Sequence, residues 1–165
     1  MAKADNDPNI LVVARNRKAS YEYFLLEQYE AGMALVGTEV KSLRDHKVQM
    51  VDAYATIIKE EAWLMSLHIS PFEKGNRNNH DPVRPRKLLL HKTEIRRLIG
   101  KTQEKSLTLI PLRIYFKEGR AKLEFAVAKG KKLYDKRDAK AKQEGEREIE
   151  RELRTVIKSR GFDEE

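Results

Sequence analysis

Residues 107–116 and 121–128 flank the tetrapeptide Lys117-Glu118-Gly119-Arg120, and the second run alternates Leu123, Phe125 and Val127 with Lys122 and Glu124. A two-residue period broken by a glycine-bearing turn specifies an antiparallel hairpin with one face in a core. The pattern recurs in residues 53–58 and 62–69, which are rich in aromatic and β-branched side chains and are separated by Lys59-Glu60-Glu61. Residues 21–35, with Tyr23, Phe24, Leu25, Leu26 and Tyr29, fit a helix or a strand and are read as a strand. Two short helices complete the pattern. One has Thr38 as N-cap, Val40 and Leu43 on its buried stripe and Lys41 and Arg44 outward; the other has Thr93 as N-cap, Ile95, Leu98 and Ile99 inward and Gly100 at C′. At least five strands with no βαβ rhythm predict a mainly β chain with short helices. A small closed or partly closed antiparallel barrel is the expected fold, because closure removes exposed strand edges. A length of 165 residues suits one such unit.

The composition changes after Ala128: of the 37 residues in 129–165, 22 are Lys, Arg, Asp or Glu. Such a segment buries too little apolar surface to offset backbone ordering, which costs roughly 1–2 kcal/mol per residue. It is therefore expected to be disordered in isolation, with residues 1–128 as the barrel domain and 129–165 as a charged tail. Ile149, Leu153, Val156 and Ile157 nevertheless recur at helical spacing, so a partner surface would draw the tail into a helix.

Thirty-four Lys and Arg against 26 Asp and Glu give a formal charge of +8, which favours a polyanionic partner. The excess is local. Residues 72–101 hold nine basic and three acidic side chains and residues 129–142 hold seven and two, whereas residues 26–71 hold four and seven. No apolar run approaches the roughly 18 residues of a membrane span, and the start lacks the order of a secretory signal, so a cytoplasmic location is expected. The absence of cysteine removes disulfides, thiolate nucleophiles, zinc fingers and iron–sulfur clusters.

Catalysis finds little support. His68 stands in a strand pattern, and Asn79-His80-Asp81 is the one local trio a ribonuclease could use, although Asp81 before Pro82 is equally a turn residue. Gly100-Lys101-Thr102 resembles the end of a phosphate loop, but Ile95 occupies the position of the glycine five residues earlier. No cofactor is called for. Between Ser70 and Arg86 lies a basic loop containing three prolines and three asparagines. There Lys74, Arg77, Arg84, Arg86 and Lys87 supply cations, while Asn76, Asn78, Asn79 and His80 supply hydrogen-bonding groups, a mixture suited to folded RNA. From residues alone the chain reads as an RNA-binding barrel with an induced tail, a ribosomal or assembly protein being the nearest alternative and a ribonuclease using His80 a remoter one.

The chain resembles the SsrA-binding protein (SmpB) family nearly end to end. The resemblance is carried by Asn16-Arg17-Lys18-Ala19, Glu30-Ala31-Gly32, Gly37-Thr38-Glu39-Val40-Lys41-Ser42-Leu43-Arg44, His68-Ile69-Ser70-Pro71, Gly75-Asn76, His80-Asp81-Pro82, Arg86-Lys87-Leu88-Leu89-Leu90, Ala128-Lys129-Gly130-Lys131-Lys132 and Asp135-Lys136-Arg137. It implies an oligonucleotide-binding-like barrel that holds the tRNA-like domain of transfer-messenger RNA and delivers it to stalled ribosomes for trans-translation. No enzymatic activity is implied, and the elongation factor carrying aminoacylated tRNA is an indirect partner. The same resemblance assigns Glu30, Gly32, Lys41, Ser42, Asn76, Arg86, Lys87, Leu90 and His91 to the RNA-gripping side. It assigns Lys129, Gly130, Lys131, Lys132, Tyr134, Asp135, Lys136 and Arg137 to the decoding centre, against small-subunit rRNA, with Leu153 on the helix beyond, in the empty messenger path. Tyr134 would stack on a decoding base. The glutamates at 144, 146, 148, 150 and 152 make the end of the tail nearly neutral.

Overall fold

Two tight turns set the strand register. Lys59 and Glu60 have φ of 50° and 60°, and Glu118 and Gly119 have φ of 50° and 75°. Two successive positive-φ residues match the right-handed twist of the strands they join. In the computed structural model, which describes residues 8–104 and 106–160 with the side chains of 156–160 excepted, these turns connect β4 (Tyr54–Ile58) to β5 (Glu61–Met65) and β8 (Leu107–Lys117) to β9 (Arg120–Gly130). The sheet closes through β8–β4–β5–β7–β2–β9 and back to β8, with β2 spanning Tyr23–Met33 and β7 spanning Arg86–Leu89. Every pairing is antiparallel, so the expected oligonucleotide-binding-like barrel is present. β1 (Ile10–Arg15) adds to β8 outside the ring.

The three strands of 11 residues bend to follow the ring. Register shifts fall between Leu25 and Glu27 in β2 and between Pro111 and Arg113 in β8, and bulges of this kind increase local coiling. Pro111 sits where a ladder tolerates a missing N–H. Asn16 fastens the same bulge, its backbone N–H donating to Leu112 O at 2.7 Å and its Nδ2 to Pro111 O at 3.1 Å.

Leu64, Leu88, Leu109, Ile114, Leu123, Phe125 and Val127 fill the interior. Tyr29 stacks on Phe125 at 5.7 Å between centroids. Each such side chain contributes roughly 1.5–3 kcal/mol of transfer free energy. α1 (Ala19–Glu22) packs Ala19 with Ile110 and Ala128 in a second cluster, while α2 (Gly37–Arg44) sends Leu43, and α3 (Lys92–Thr102) sends Leu98, into the main core.

The helix starts differ from the sequence expectation. Val36, not Thr38, is the N-cap of α2, and its N–H donates to the Glu39 carboxylate at 2.9 Å. His91, not Thr93, caps α3, donating to Glu94 at 3.1 Å, and Gly100 lies inside the helix. The glutamate at the third helical position anchors both starts. The run 62–69 also splits: Ser66, at φ 56°, ends β5, and β6 (His68–Ile69) pairs instead with β3 (Val48–Gln49).

The chain divides into two units, residues 1–130 and 131–165. β9 runs through Lys129 and Gly130, which pair with Phe24 and Tyr23, so these two residues belong to the barrel rather than to the tail. The second unit contains α4 (Leu133–Arg160), about 42 Å long at 1.5 Å per residue. Its start is held by Lys132 N–H donating to Asp135 at 3.2 Å, and its exposed surface carries Lys140–Glu144 and Glu150–Arg154 pairs. Ile149 and Leu153 are exposed; the side chains of Val156 and Ile157, the rest of the expected stripe, lie outside the described residues. Among the described residues no helix is long and apolar enough to cross a membrane.

Candidate nucleic-acid interface

Because side chains alternate along a strand, the outward residues of four neighbouring strands share one surface. β5 contributes Glu61, β7 Lys87 and Leu89, β2 Glu30 and Gly32, and β9 Lys122. Gly32 faces both Leu89 and Lys122 across the ladder. The start of α3 closes one side with His91 and Lys92, giving an open groove of about 680 Å³. Of the residues assigned from the sequence, the groove gathers Glu30, Gly32, Lys87, Leu90 and His91. A Cβ on Gly32 would lie 3.3 Å from Leu89 Cβ, so glycine is what lets Leu89 fold across the groove floor.

The groove also holds residues the sequence did not single out: Glu61, Leu89, Lys92 and Lys122. Lys122 was legible as an outward residue of β9, but not that β9 lies beside β2. Lys122 Nζ stands 3.2 Å from Glu30 Oε1, and Glu30 Oε2 accepts the Tyr115 hydroxyl. That hydroxyl, more than Lys122, holds the Glu30 carboxyl below its usual range against the opposing effect of partial burial. Burial, then Glu30, pushes Tyr115 well above the usual phenol range, so it stays a donor. Glu30 is thereby an aimed anion in a groove of mixed charge, lined by Lys87, Lys92 and Lys122 and also by Glu60, Glu61 and Glu94, and it can accept from base amines or ribose hydroxyls. Lys87 pairs with Glu61 at 2.6 Å on the exposed rim, a contact weak enough to yield to phosphate.

Two assigned residues, Arg86 and Ser42, present no surface to solvent. Arg86 is fully buried: Nε donates to Glu39 at 2.8 Å, NH1 to Leu67 O at 2.6 Å and Arg84 O at 3.2 Å, and NH2 to Pro82 O at 3.0 Å. Glu39, also fully buried, accepts from Arg84 at 2.9 and 2.6 Å as well. Burial raises the Glu39 pKa, and the bonds from Arg84, Val36 N–H and Arg86 more than offset that, leaving it below the usual value. This ion cluster ties the basic loop to α2, which is why a cation in a basic run turned inward. Ser42 is likewise buried on α2, and its hydroxyl has no hydrogen-bond partner among the described residues.

Lys41 belongs to a second depression, lined also by Gly37, Thr38, Asn78, Asn79, His80 and Arg84, which shares no residue with the groove. Its ammonium lies over the Phe72 ring at 5.2 Å. Asn76 is exposed in the adjoining 3₁₀ segment (Glu73–Asn78) at φ 46°, outside the groove lining. Asn79 shapes the segment, accepting from Phe72 N–H at 2.8 Å and donating to Phe72 O at 2.9 Å. A Cβ on Gly75 would meet the Asn79 amide at 2.8 Å. His80 places Nε2 2.9 Å from Ile69 O and Nδ1 2.9 Å from the Thr38 hydroxyl. A carbonyl only accepts, so Nε2 carries the proton and Nδ1 takes the Thr38 hydrogen. Both ring nitrogens are thus engaged within the protein. Asp81 accepts from Val83 N–H at 3.0 Å, the turn role.

In the second unit Tyr134 is exposed, as are Lys132, Arg137 and Leu153, while Lys131, Asp135 and Lys136 are partly covered.

Comparison with known proteins gives one answer. The chain is 65% identical over 142 residues to an SsrA-binding protein of Desulforudis audaxviator, covering 86% of this chain and 93% of that one. It is 56% identical over 154 residues to the SsrA-binding protein of Symbiobacterium thermophilum, with 93% and 95% covered. A solved structure described as "tmRNA-SmpB: a journey to the center of the bacterial ribosome" contains a chain 52% identical, with a TM-score of 0.63 over 76% of this chain and 86% of that one. The SmpB protein family model matches residues 13–155, and with the barrel, the groove and these relatives in agreement, the chain belongs to that family.

Proposed function

We propose that this protein is a non-catalytic, cytoplasmic RNA-binding adaptor. It holds the tRNA-like domain of transfer-messenger RNA and delivers it to stalled ribosomes for trans-translation, alongside the elongation factor that carries aminoacylated tRNA. The observation that carries the reading is the groove across β5, β7, β2 and β9, where Lys87, Lys92 and Lys122 line one surface with a Glu30 that Lys122 and Tyr115 hold in place. Cations there set the RNA backbone, and the carboxylate rewards a donor group at one position. The exposed cations Lys132 and Arg137, with Tyr134, suit a segment that meets rRNA in the decoding centre, and α4 suits the empty messenger channel. Ordering α4 on rRNA makes the order of the tail depend on an absent messenger. The Lys41 depression supplies a separate polar contact surface.

Affinity for the isolated tRNA-like domain, measured against salt, tests the groove. Lys87→Ala and Lys122→Ala should each weaken binding and reduce the log–log salt slope by roughly 0.7 to 0.9. Unchanged affinity and slope in the double variant would remove the groove from RNA binding. A ribosomal protein would instead purify in equal amount with all ribosomes, whether stalled or translating.

A further inference from the structure

The only tryptophan of the chain stands outside the core. On β5, Ala62 and Leu64 point inward, leaving Glu61, Trp63 and Met65 on the outer face. There Trp63 lines an apolar depression of about 380 Å³ with Ile58, Lys59, Glu61, Met65 and Pro85. Its indole N–H donates to none of the described residues. An aromatic ring left partly exposed among apolar walls, on the outer face of the strand rather than in the core with Phe125, offers a surface for a flat ligand.

Two observations say which ligand. First, Glu61 lines both this depression and the groove, so the surfaces are continuous. Second, Trp63 is directly opposite Lys87 in the β5–β7 ladder, about 5 Å away across the strands. Lys59, exposed at the β4–β5 turn, lines the same depression as the ring. A ring with a lysine opposite it in the ladder and another lining its depression, beside the groove, has the composition of a single-stranded RNA stacking platform. We propose that Trp63 stacks an unpaired nucleobase of the RNA held in the groove, the flanking phosphates lying on Lys87 and Lys59. The inference rests on the groove being the RNA seat and adds a second contact beyond it. The specificity it supplies is for an extruded base, whatever its identity, because every base offers a π-face.

Because Trp63 is the sole indole, its fluorescence reports this site alone. The full chain is titrated with the tRNA-like domain of transfer-messenger RNA and, in parallel, with a blunt RNA duplex lacking unpaired bases; end-labelled RNA anisotropy measures binding independently. The expected result is quenching by the tRNA-like domain and little by the duplex. Trp63→Leu, which removes the ring but keeps an apolar side chain on the outer face of the strand, should bind about tenfold more weakly, while Trp63→Tyr, which keeps a ring, should bind within about threefold. RNA that binds by anisotropy without altering emission, with Trp63→Leu binding like wild type, overturns the platform and leaves the groove standing. An emission change that follows protein concentration without RNA assigns the depression to a second copy of the chain and also overturns it. Failure of the RNA to bind at all overturns the groove reading itself.

Discussion

Glu39 shows how far one side chain governs the binding surface without touching it. Its carboxylate holds Arg84, Arg86 and the start of α2 together, entirely out of solvent. Its folded pKa is depressed, so the stability it contributes is present above the unfolded carboxylate pKa of about 4.3 and is lost as pH falls through the lower folded value. Glu39→Gln should therefore destabilise the barrel by about 3–5 kcal/mol at pH 7 and flatten the acid limb of stability below about pH 4, both read from urea melts across pH. The sequence displayed Arg86 as one cation in a basic run, and the counter-charge that buries it is 47 positions away. Charge is legible in a sequence; burial of that charge depends on long-range closure and is not. Glu30 and His91 were named only through the family resemblance, and Lys87 also through the basic run; their places on the outward phase of strands and at a helix cap are what the structure adds. Gly32→Ala should push Leu89 out of the groove floor and weaken RNA binding several-fold while moving the thermal midpoint by only a few degrees, since the added methyl presses on an exposed side chain.

At the scale of elements, the hairpins were legible since their turns and two-residue period are local. The same turns expose a weakness. Lys59 and Glu60 occupy positive φ without being glycine or asparagine, a conformation that costs roughly 1–2 kcal/mol per ordinary residue. Lys59→Asn with Glu60→Gly should stabilise the barrel by about 1 kcal/mol, seen as a higher denaturant midpoint with an unchanged slope. The helix starts were read two residues late at α2 and two residues late at α3, because threonine is a favoured cap and valine and histidine are not. The side chain that decides is the glutamate three residues into each helix, which bonds back to the cap N–H. α4 is long, with Gly145 in its interior. A peptide of residues 131–165 should be only partly helical by circular dichroism, and Gly145→Ala should raise its helicity, as removal of about 1 kcal/mol of glycine cost predicts.

For the whole molecule, the order of strands around the ring was the illegible part. Local pattern shows that β2 and β9 each have an outward face; that β2 lies between β7 and β9, so that Glu30, Lys87 and Lys122 meet, follows from pairings between distant segments. The compositional break after Ala128 was legible within two residues, the strand continuing to Gly130 because Lys129 and Gly130 still have ladder partners in β2. Two units with separate tasks are the central claim: the barrel groove holds the RNA, and the tail reads the ribosome. The most direct measurement compares residues 1–130 with the full chain, and each with its Lys122→Ala form, for affinity to the tRNA-like domain and for tagging of stalled chains in a reconstituted translation system. The account predicts that truncation leaves affinity within about threefold and abolishes tagging, while Lys122→Ala weakens both chains equally. A truncated chain that loses its RNA, or still supports tagging, would contradict it.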